Sequence, residues 1–128
     1  MDLTLDSVRM GETGLSVSEI AFGTWRFGRE TAAGNLETDR ETARDLLSTY
    51  EAAGGRFIDT ADIYGGGESE RWIGEWLDER DRSEFVIASK VYWPTRENDP
   101  NANGLNRKHL RRQLGLILDR LGTDYLDI

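Results

Sequence analysis

The sequence predicts an α/β fold in which short parallel strands alternate with helices. Short apolar runs alternate along the chain with longer segments whose apolar residues recur at helical spacing. This order is typical of parallel βαβ units with right-handed crossovers. The runs are apolar on both faces, as expected for parallel strands that helices cover. There is no internal repeat, low-complexity tract or long linker, which favours a single structural unit.

Four strands are predicted, one from each short apolar run. They cover residues 18–24, 57–59, 85–89 and 125–128. The first ends in Gly23 and Thr24, and a loop is expected to begin near Trp25. The third ends just before Lys90. Polar side chains in the loops after these strands are therefore candidates for functional residues.

Three helices are predicted between the strands. Thr38, Ser69 and Asn106 have side chains that can cap a helix N-terminus. Gly54 and Gly122 are expected to end the first and third helices. The apolar stripes expected to be buried are Ala43, Leu46, Leu47 and Tyr50 in the first helix, Trp72, Ile73, Trp76 and Leu77 in the second, and Leu110, Leu114, Ile117, Leu118 and Leu121 in the third.

Composition and charge exclude several classes of protein. The chain is 38% hydrophobic and 31% charged, as in soluble globular proteins, and no apolar run could cross a bilayer. It has no cysteine and one histidine, His109, so a zinc site would lack its usual ligands and no bound metal is expected. The net charge of −8 argues against nucleic-acid and membrane partners. The start of the chain does not resemble a secretory signal, which favours a cytoplasmic location.

Three side chains with chemical potential follow the predicted strand ends. Asp59 closes the second strand, Tyr64 lies in the loop after it, and Lys90 closes the third. Because the carboxyl ends of parallel strands share one edge of the sheet, we expect all three to face one pocket. An ammonium stabilises a nearby phenolate, and a carboxylate keeps the ammonium charged. The set therefore suits proton delivery to a carbonyl.

The same residues have a structural interpretation. Asp59 and Lys90 could form an ion pair that ties two strand ends together, with Tyr64 as an ordinary loop aromatic. Spacing alone does not choose between these interpretations.

The motifs around these residues resemble a known family. F-I-D-T-A at residues 57–61, Y-G at 64–65, S-E at 69–70 and I-G at 73–74 resemble the aldo-keto reductase pattern F-x-D-T-A-x-x-Y-G-x-x-x-S-E-x-x-x-G. Further segments agree in order: T-G-L-S-V-S at 13–18, F-G-T-W at 22–25, I-A-S-K at 87–90 and D-R-L-G-T-D-Y-L-D at 119–127. The resemblance covers nearly the whole chain.

This resemblance implies a fold and an activity. The fold is the parallel (β/α)8 TIM barrel, which typically needs about 250 residues; the 128 residues here then form a partial barrel domain, roughly the first half. The activity is reduction of aldehydes or ketones with NADPH, or with NADH. Tyr64 is implied as the general acid, Lys90 as the ammonium that assists it, and Asp59 as the carboxylate that holds Lys90. Hydride comes from the nicotinamide, since no side chain supplies it.

The resemblance also implies residues that bind ligands. Thr24, Trp25 and Asp59 match positions near the nicotinamide, while Trp25, Tyr64 and Trp93 match positions near the small-molecule carbonyl substrate. Packing is the alternative role for both tryptophans. The family's fourth catalytic residue, usually a histidine, follows the segment that ends this chain. His109 lies upstream of that segment, at the start of the third helix, and is expected to be a surface or capping residue.

Two alternatives to an active reductase remain open. G-L-N-R-K-H at 104–109 and V-Y-W at 91–93 resemble the branch that contains the voltage-gated potassium channel β subunits, which favours a regulatory protein that binds cofactor with little turnover. The length alone also fits an unrelated flavodoxin-like binding module. If the chain is a partial barrel, it is expected to lack activity, and its bare sheet edges favour self-association.

Overall fold

The computed structural model describes residues 4–128, which form a parallel sheet and three helices. The sheet contains β3 (Phe22–Gly23), β4 (Phe57–Asp59) and β5 (Val86–Ala88), in that order. The helices are α1 (Arg40–Ala52), α2 (Glu68–Leu77) and α3 (Arg107–Leu121). Short 3-10 helices span Tyr64–Gly67 and Arg82–Glu84. The predicted alternation of parallel strands and helices is confirmed.

An antiparallel hairpin that the sequence analysis missed precedes the sheet. It pairs β1 (Ser7–Arg9) with β2 (Ser16–Ser18), with Val8 opposite Val17. Ser18 was predicted to begin the first parallel strand, but it belongs to this hairpin, where its Oγ accepts a hydrogen bond of 2.7 Å from the Arg56 backbone N–H. The hairpin was missed because its strands are short and mostly polar.

The first and fourth predicted strands are shorter than expected or absent. β3 has two residues, Phe22 and Gly23, which pair with Ile58 and Asp59. Residues 125–128 form no assigned strand. They nevertheless run beside β5, where the N–H groups of Asp127 and Ile128 both donate to the Ile87 carbonyl. The fourth element therefore lies where a next strand would pair, without a regular ladder.

The capping predictions were correct for one helix and wrong for two. Asn106 caps α3 by accepting from the His109 backbone N–H at 2.9 Å. In α1 the cap is Asp39 rather than Thr38, because the Asp39 carboxylate accepts from the Thr42 N–H at 2.8 Å. In α2 the N-cap position is Gly67, and Ser69 lies inside the first turn, fully buried.

Part of the predicted apolar stripe is exposed in α1 and in α3, whereas no residue of the α2 stripe is exposed. Leu46 of α1 and Leu110 and Leu114 of α3 were expected in the core, but all three are exposed. The face of α3 that packs inward consists of His109, Gln113, Ile117 and Leu121. Leu110 and Leu114 instead line an apolar groove beside β5 and the last residues of the chain. Helical periodicity located the apolar side of α3 but not the part of it that this sheet covers.

The core lies between the sheet and the helices. Trp76 of α2 is almost fully buried and packs edge-on against Phe85, with ring centroids 5.2 Å apart. Its indole N–H donates to Ser48 Oγ at 3.0 Å, which joins α2 to α1. The other buried apolar members of this cluster are Phe27, Ala43, Leu47, Tyr50, Ile58, Ile73, Leu77, Ile87, Ile117 and Leu121. Among residues 4–128, no helix is both long and apolar enough to cross a membrane.

Candidate active site

The Lys90 ammonium is the centre of a polar cluster at the C-terminal edge of the parallel sheet. Its Nζ donates to both carboxylate oxygens of Asp59, at 2.9 and 2.8 Å, and to the Thr60 carbonyl at 2.8 Å. The Tyr64 hydroxyl lies 3.3 Å from the same nitrogen. Asp59 ends β4, and Lys90 follows β5 closely, so the parallel pairing of these strands brings the two charges together. The predicted convergence of Asp59, Tyr64 and Lys90 is thus present.

Tyr64 reaches this cluster because the backbone after it turns sharply. Gly65, Gly66 and Gly67 all have positive φ, from 59° to 97°. A Cβ atom at Gly65 would lie 2.4 Å from the Phe27 carbonyl oxygen, so only glycine allows the loop after β3 to approach this closely. As a result, the Tyr64 ring lies against the ammonium, with Lys90 Nζ 4.9 Å from the ring centroid.

The surroundings of Lys90 keep it charged. Partial burial opposes the charge, but the hydrogen bonds to Asp59 and Tyr64 and the negative charge of Asp59 outweigh that effect and raise the pKa of Lys90 above its usual value. A cationic Lys90 can stabilise negative charge that develops on the phenol oxygen of Tyr64.

The residues predicted to contact ligands occupy different settings. Trp25 is 53% exposed, with the Arg29 guanidinium 4.0 Å from the centre of its ring. Trp93 is similarly exposed and packs edge-on against Tyr92. Thr24 is fully buried, and its hydroxyl donates to the Asp59 carbonyl at 3.0 Å. About half of the surface of each tryptophan is therefore open to solvent, whereas the Thr24 side chain lies beneath the cluster.

A buried chain of hydroxyls, not predicted from the sequence, supports Asp59. Thr24 donates to the Asp59 carbonyl and accepts from Ser69 at 2.7 Å. Since a hydroxyl has one proton to donate, Thr60 must then donate to Ser69 across their 2.9 Å contact. Ser69 was interpreted as a helix cap, a role that the same side chain commonly has. The sequence signal that could have identified this role is the position of Ser69 in the family pattern, ten residues after Asp59.

Asp62 and His109 lie behind the Tyr64 loop as buried groups without partners. Asp62 is 3% and His109 1% exposed, and within residues 4–128 neither the Asp62 carboxylate oxygens nor the His109 ring nitrogens have a hydrogen-bond partner. The prediction that His109 is a surface or capping residue was wrong; only its backbone N–H takes part in the cap. Burial and the nearby Glu70 charge raise the pKa of Asp62, although His109 and Arg120 oppose this.

We expect Asp62→Asn to increase stability at neutral pH. A carboxyl whose pKa rises on folding holds its proton more tightly in the folded state. The free energy of unfolding therefore falls as pH rises from an ordinary carboxyl pKa through the folded one, and stays reduced above it. Removing this charge should raise the free energy of unfolding at pH 7 and flatten its decline with pH. Urea unfolding across pH measures both, with the exposed Asp45→Asn as control; an unchanged pH dependence contradicts the prediction.

Comparison with known proteins identifies the family of this chain. The model of the Aldo/keto reductase family matches residues 19–128. Norsolorinic acid reductase of Aspergillus flavus is 37% identical over 122 residues, which are 90% of this chain and 31% of the relative. A Schizosaccharomyces pombe protein named as a putative voltage-gated potassium channel subunit beta is 37% identical over 121 residues, 93% of this chain and 34% of that protein. The chain thus spans about a third of these curated relatives.

Solved structures show the same fold. An aldo-keto reductase from Bacillus halodurans, solved in a holo form, superposes with a TM-score of 0.76 at 26% identity, over 95% of this chain and 38% of that one. The alternative of an unrelated flavodoxin-like module is therefore wrong. The parallel sheet, its helices and the cluster at its C-terminal edge are part of a (β/α)8 barrel, and the chain belongs to the aldo/keto reductase family.

Proposed function

We propose that this segment carries the proton-donating part of the active site of an NAD(P)H-dependent carbonyl reductase, which converts aldehydes or ketones to alcohols. The observation that supports the proposal is the convergence of a phenol, an ammonium and a carboxylate on the sheet edge, within 3.3 Å of Lys90 Nζ. Active sites of (β/α)8 barrels lie at this edge. Because the relatives are about three times longer, the activity is proposed for a full-length protein that contains this segment.

Each residue of the cluster has one proposed task. The Tyr64 hydroxyl donates its proton to the carbonyl oxygen of the substrate as that oxygen gains negative charge. Lys90 stabilises the phenolate that Tyr64 becomes, since opposite charges attract strongly at this distance. Asp59 holds the ammonium with both carboxylate oxygens. The ion pair is thus part of the chemistry rather than only a link between strands.

The residues present fit the nicotinamide end of a cofactor. When bound, reduced nicotinamide supplies the hydride that no side chain can donate. The side chains of Lys90 and Asp59 are 44% and 36% exposed, so both can be reached from outside the sheet. We propose that Trp25 and Asp59 face the NADPH nicotinamide and that Trp25 and Trp93 contact the substrate. Thr24 supports this surface from below, by its hydrogen bond to the Asp59 carbonyl.

A turnover assay tests the proposal. A full-length protein containing this segment is mixed with NADPH and a panel of aromatic and aliphatic carbonyls, and loss of the reduced-nicotinamide absorbance is followed. We expect alcohol formation matched to NADPH consumption. Parallel reactions with NADH measure cofactor preference. Tight NADPH binding without turnover of any carbonyl would contradict the reductase proposal.

A cofactor-binding regulator is the second proposed function. The observation that favours it is the 37% identity to the S. pombe protein named as a channel β subunit. This function predicts NADPH binding with negligible turnover. Comparing the rate of carbonyl reduction with the rate of cofactor release in the same protein separates the two functions.

The 128-residue chain alone should bind NADPH weakly and self-associate. Leu110, Leu114 and Ile128 are exposed and line, with Leu126, an apolar groove of about 330 Å³ beside β5. Exposed apolar grooves and unpaired strand edges promote association. Fluorescence titration with NADPH and sedimentation of the purified chain measure both properties. Micromolar binding by a monomer would contradict the prediction.

A further inference from the structure

Glu70 is a fully buried carboxylate that links two helices and a strand end. It lies in the first turn of α2 and has no exposed surface. Its Oε1 accepts from the Ser89 hydroxyl at 2.8 Å, and its Oε2 accepts from Arg120 Nη1 at 3.0 Å. Ser89 directly precedes Lys90. The carboxylate thus connects the residue beside the ammonium to the last turn of α3.

Arg120 continues this link to the segment that carries Tyr64. The same Nη1 donates to the Asp62 carbonyl at 3.0 Å. The guanidinium also lies against Gly67, where a Cβ would be 2.7 Å from Arg120 Cζ. One largely buried side chain, 17% exposed, therefore touches the segment on both sides of Tyr64.

The ion pair between Glu70 and Arg120 connects Ser89 to the chain segment that carries Tyr64. Within residues 4–128, no other ion pair makes this connection. A buried carboxylate without its cation is strongly unfavourable, so the chain segments that hold the pair cannot move apart freely. Arginine suits this place because its planar fork directs several donors at once. A surface ion pair would impose no such restraint.

We propose that Glu70 and Arg120 are positioning residues, which hold the Tyr64 hydroxyl against the Lys90 ammonium from behind the sheet edge. Neither touches the reacting atoms. The catalytic consequence rests on the proposed function, in which Tyr64 is the proton donor. The positional claim stands on its own, because it concerns only the distance between two side chains.

The contact between Lys90 and Tyr64 can be measured directly by NMR. The sequence contains two lysines, Lys90 and Lys108, so selective labelling of lysine and tyrosine gives few signals, readable even in a dimer of the 14.5 kDa chain. The Lys90 side chain lies over the Tyr64 ring, and we expect a nuclear Overhauser effect between them. Arg120→Met should abolish this effect at temperatures well below unfolding, and Arg120→Lys should restore part of it.

If Arg120→Met does not fold, Glu70→Gln takes its place in the experiment. This substitution removes the charge with little change in volume and should weaken the same nuclear Overhauser effect. Arg71→Met is the matched control, because Arg71 is an exposed arginine of α2 whose one ion-pair partner within residues 4–128 is Glu68; it should leave the signal intact. A full Lys90–Tyr64 signal in folded Arg120→Met or Glu70→Gln overturns the proposal, even if stability falls. Loss of the signal with unchanged turnover in the full-length protein supports positioning and argues instead against Tyr64 as the acid.

Discussion

Tyr64→Phe should lower the rate of carbonyl reduction by a factor of about 10² to 10⁴, the usual contribution of a positioned general acid. The change removes the hydroxyl that lies 3.3 Å from Lys90 Nζ and leaves the ring in place. NADPH affinity should therefore change little. Steady-state kinetics of the full-length protein, with cofactor binding measured separately, give both values.

The matched control is Tyr125→Phe. Tyr125 is exposed and lies against Arg82, away from the cluster, so this variant should keep full activity. Unchanged turnover in Tyr64→Phe would mean that another group donates the proton. Equal losses in the two variants would point to a general effect of removing a phenol.

Gly74→Ala should cause a large loss of stability, because the added methyl group has no room between two helices. A Cβ at Gly74 would lie 2.5 Å from the Arg120 carbonyl oxygen and 2.9 Å from the Leu121 carbonyl carbon. Both are backbone atoms of α3, so the helices must move apart. We expect the free energy of unfolding to fall by about 1 to 3 kcal/mol, typical of overpacking. Urea unfolding followed by circular dichroism measures it.

Gly115→Ala provides the opposite case. Gly115 also lies in a helix, but in the described part of the chain a Cβ there would meet no atom within 4 Å apart from its chain neighbours and the backbone of its own helix. Alanine should stabilise this position by about 0.5 to 1 kcal/mol through helix propensity. Comparable stability in the two variants would show that α2 and α3 can separate at no cost.

The sequence predicted the meeting of Asp59, Tyr64 and Lys90 because strand ends follow a topological rule. Parallel strands have their carboxyl ends at one edge of the sheet, so residues that follow neighbouring strands such as β4 and β5 lie close together there. The rule needs no knowledge of side-chain contacts. The family pattern around Tyr64 then specified which loop residue joins the pair.

Side-chain contacts decided the features that the sequence did not predict. Ser69 can cap a helix or take part in a buried hydrogen bond, and only its neighbours Thr24 and Thr60 show which. His109 is polar and lies at a helix start, where exposure is common, yet α3 turns it inward. Periodicity likewise cannot say how much of an apolar helix face a small sheet covers, as with Leu114.

The hydroxyl chain beneath Asp59 has a kinetic consequence. Thr60 and Ser69 are fully buried, as is Thr24, and their protons are held by one another and by the Asp59 carbonyl. Exchange of these protons with solvent then requires β3, β4 and the start of α2 to separate locally. The rates at which these hydroxyl protons exchange in heavy water would therefore measure how often this buried part of the site opens.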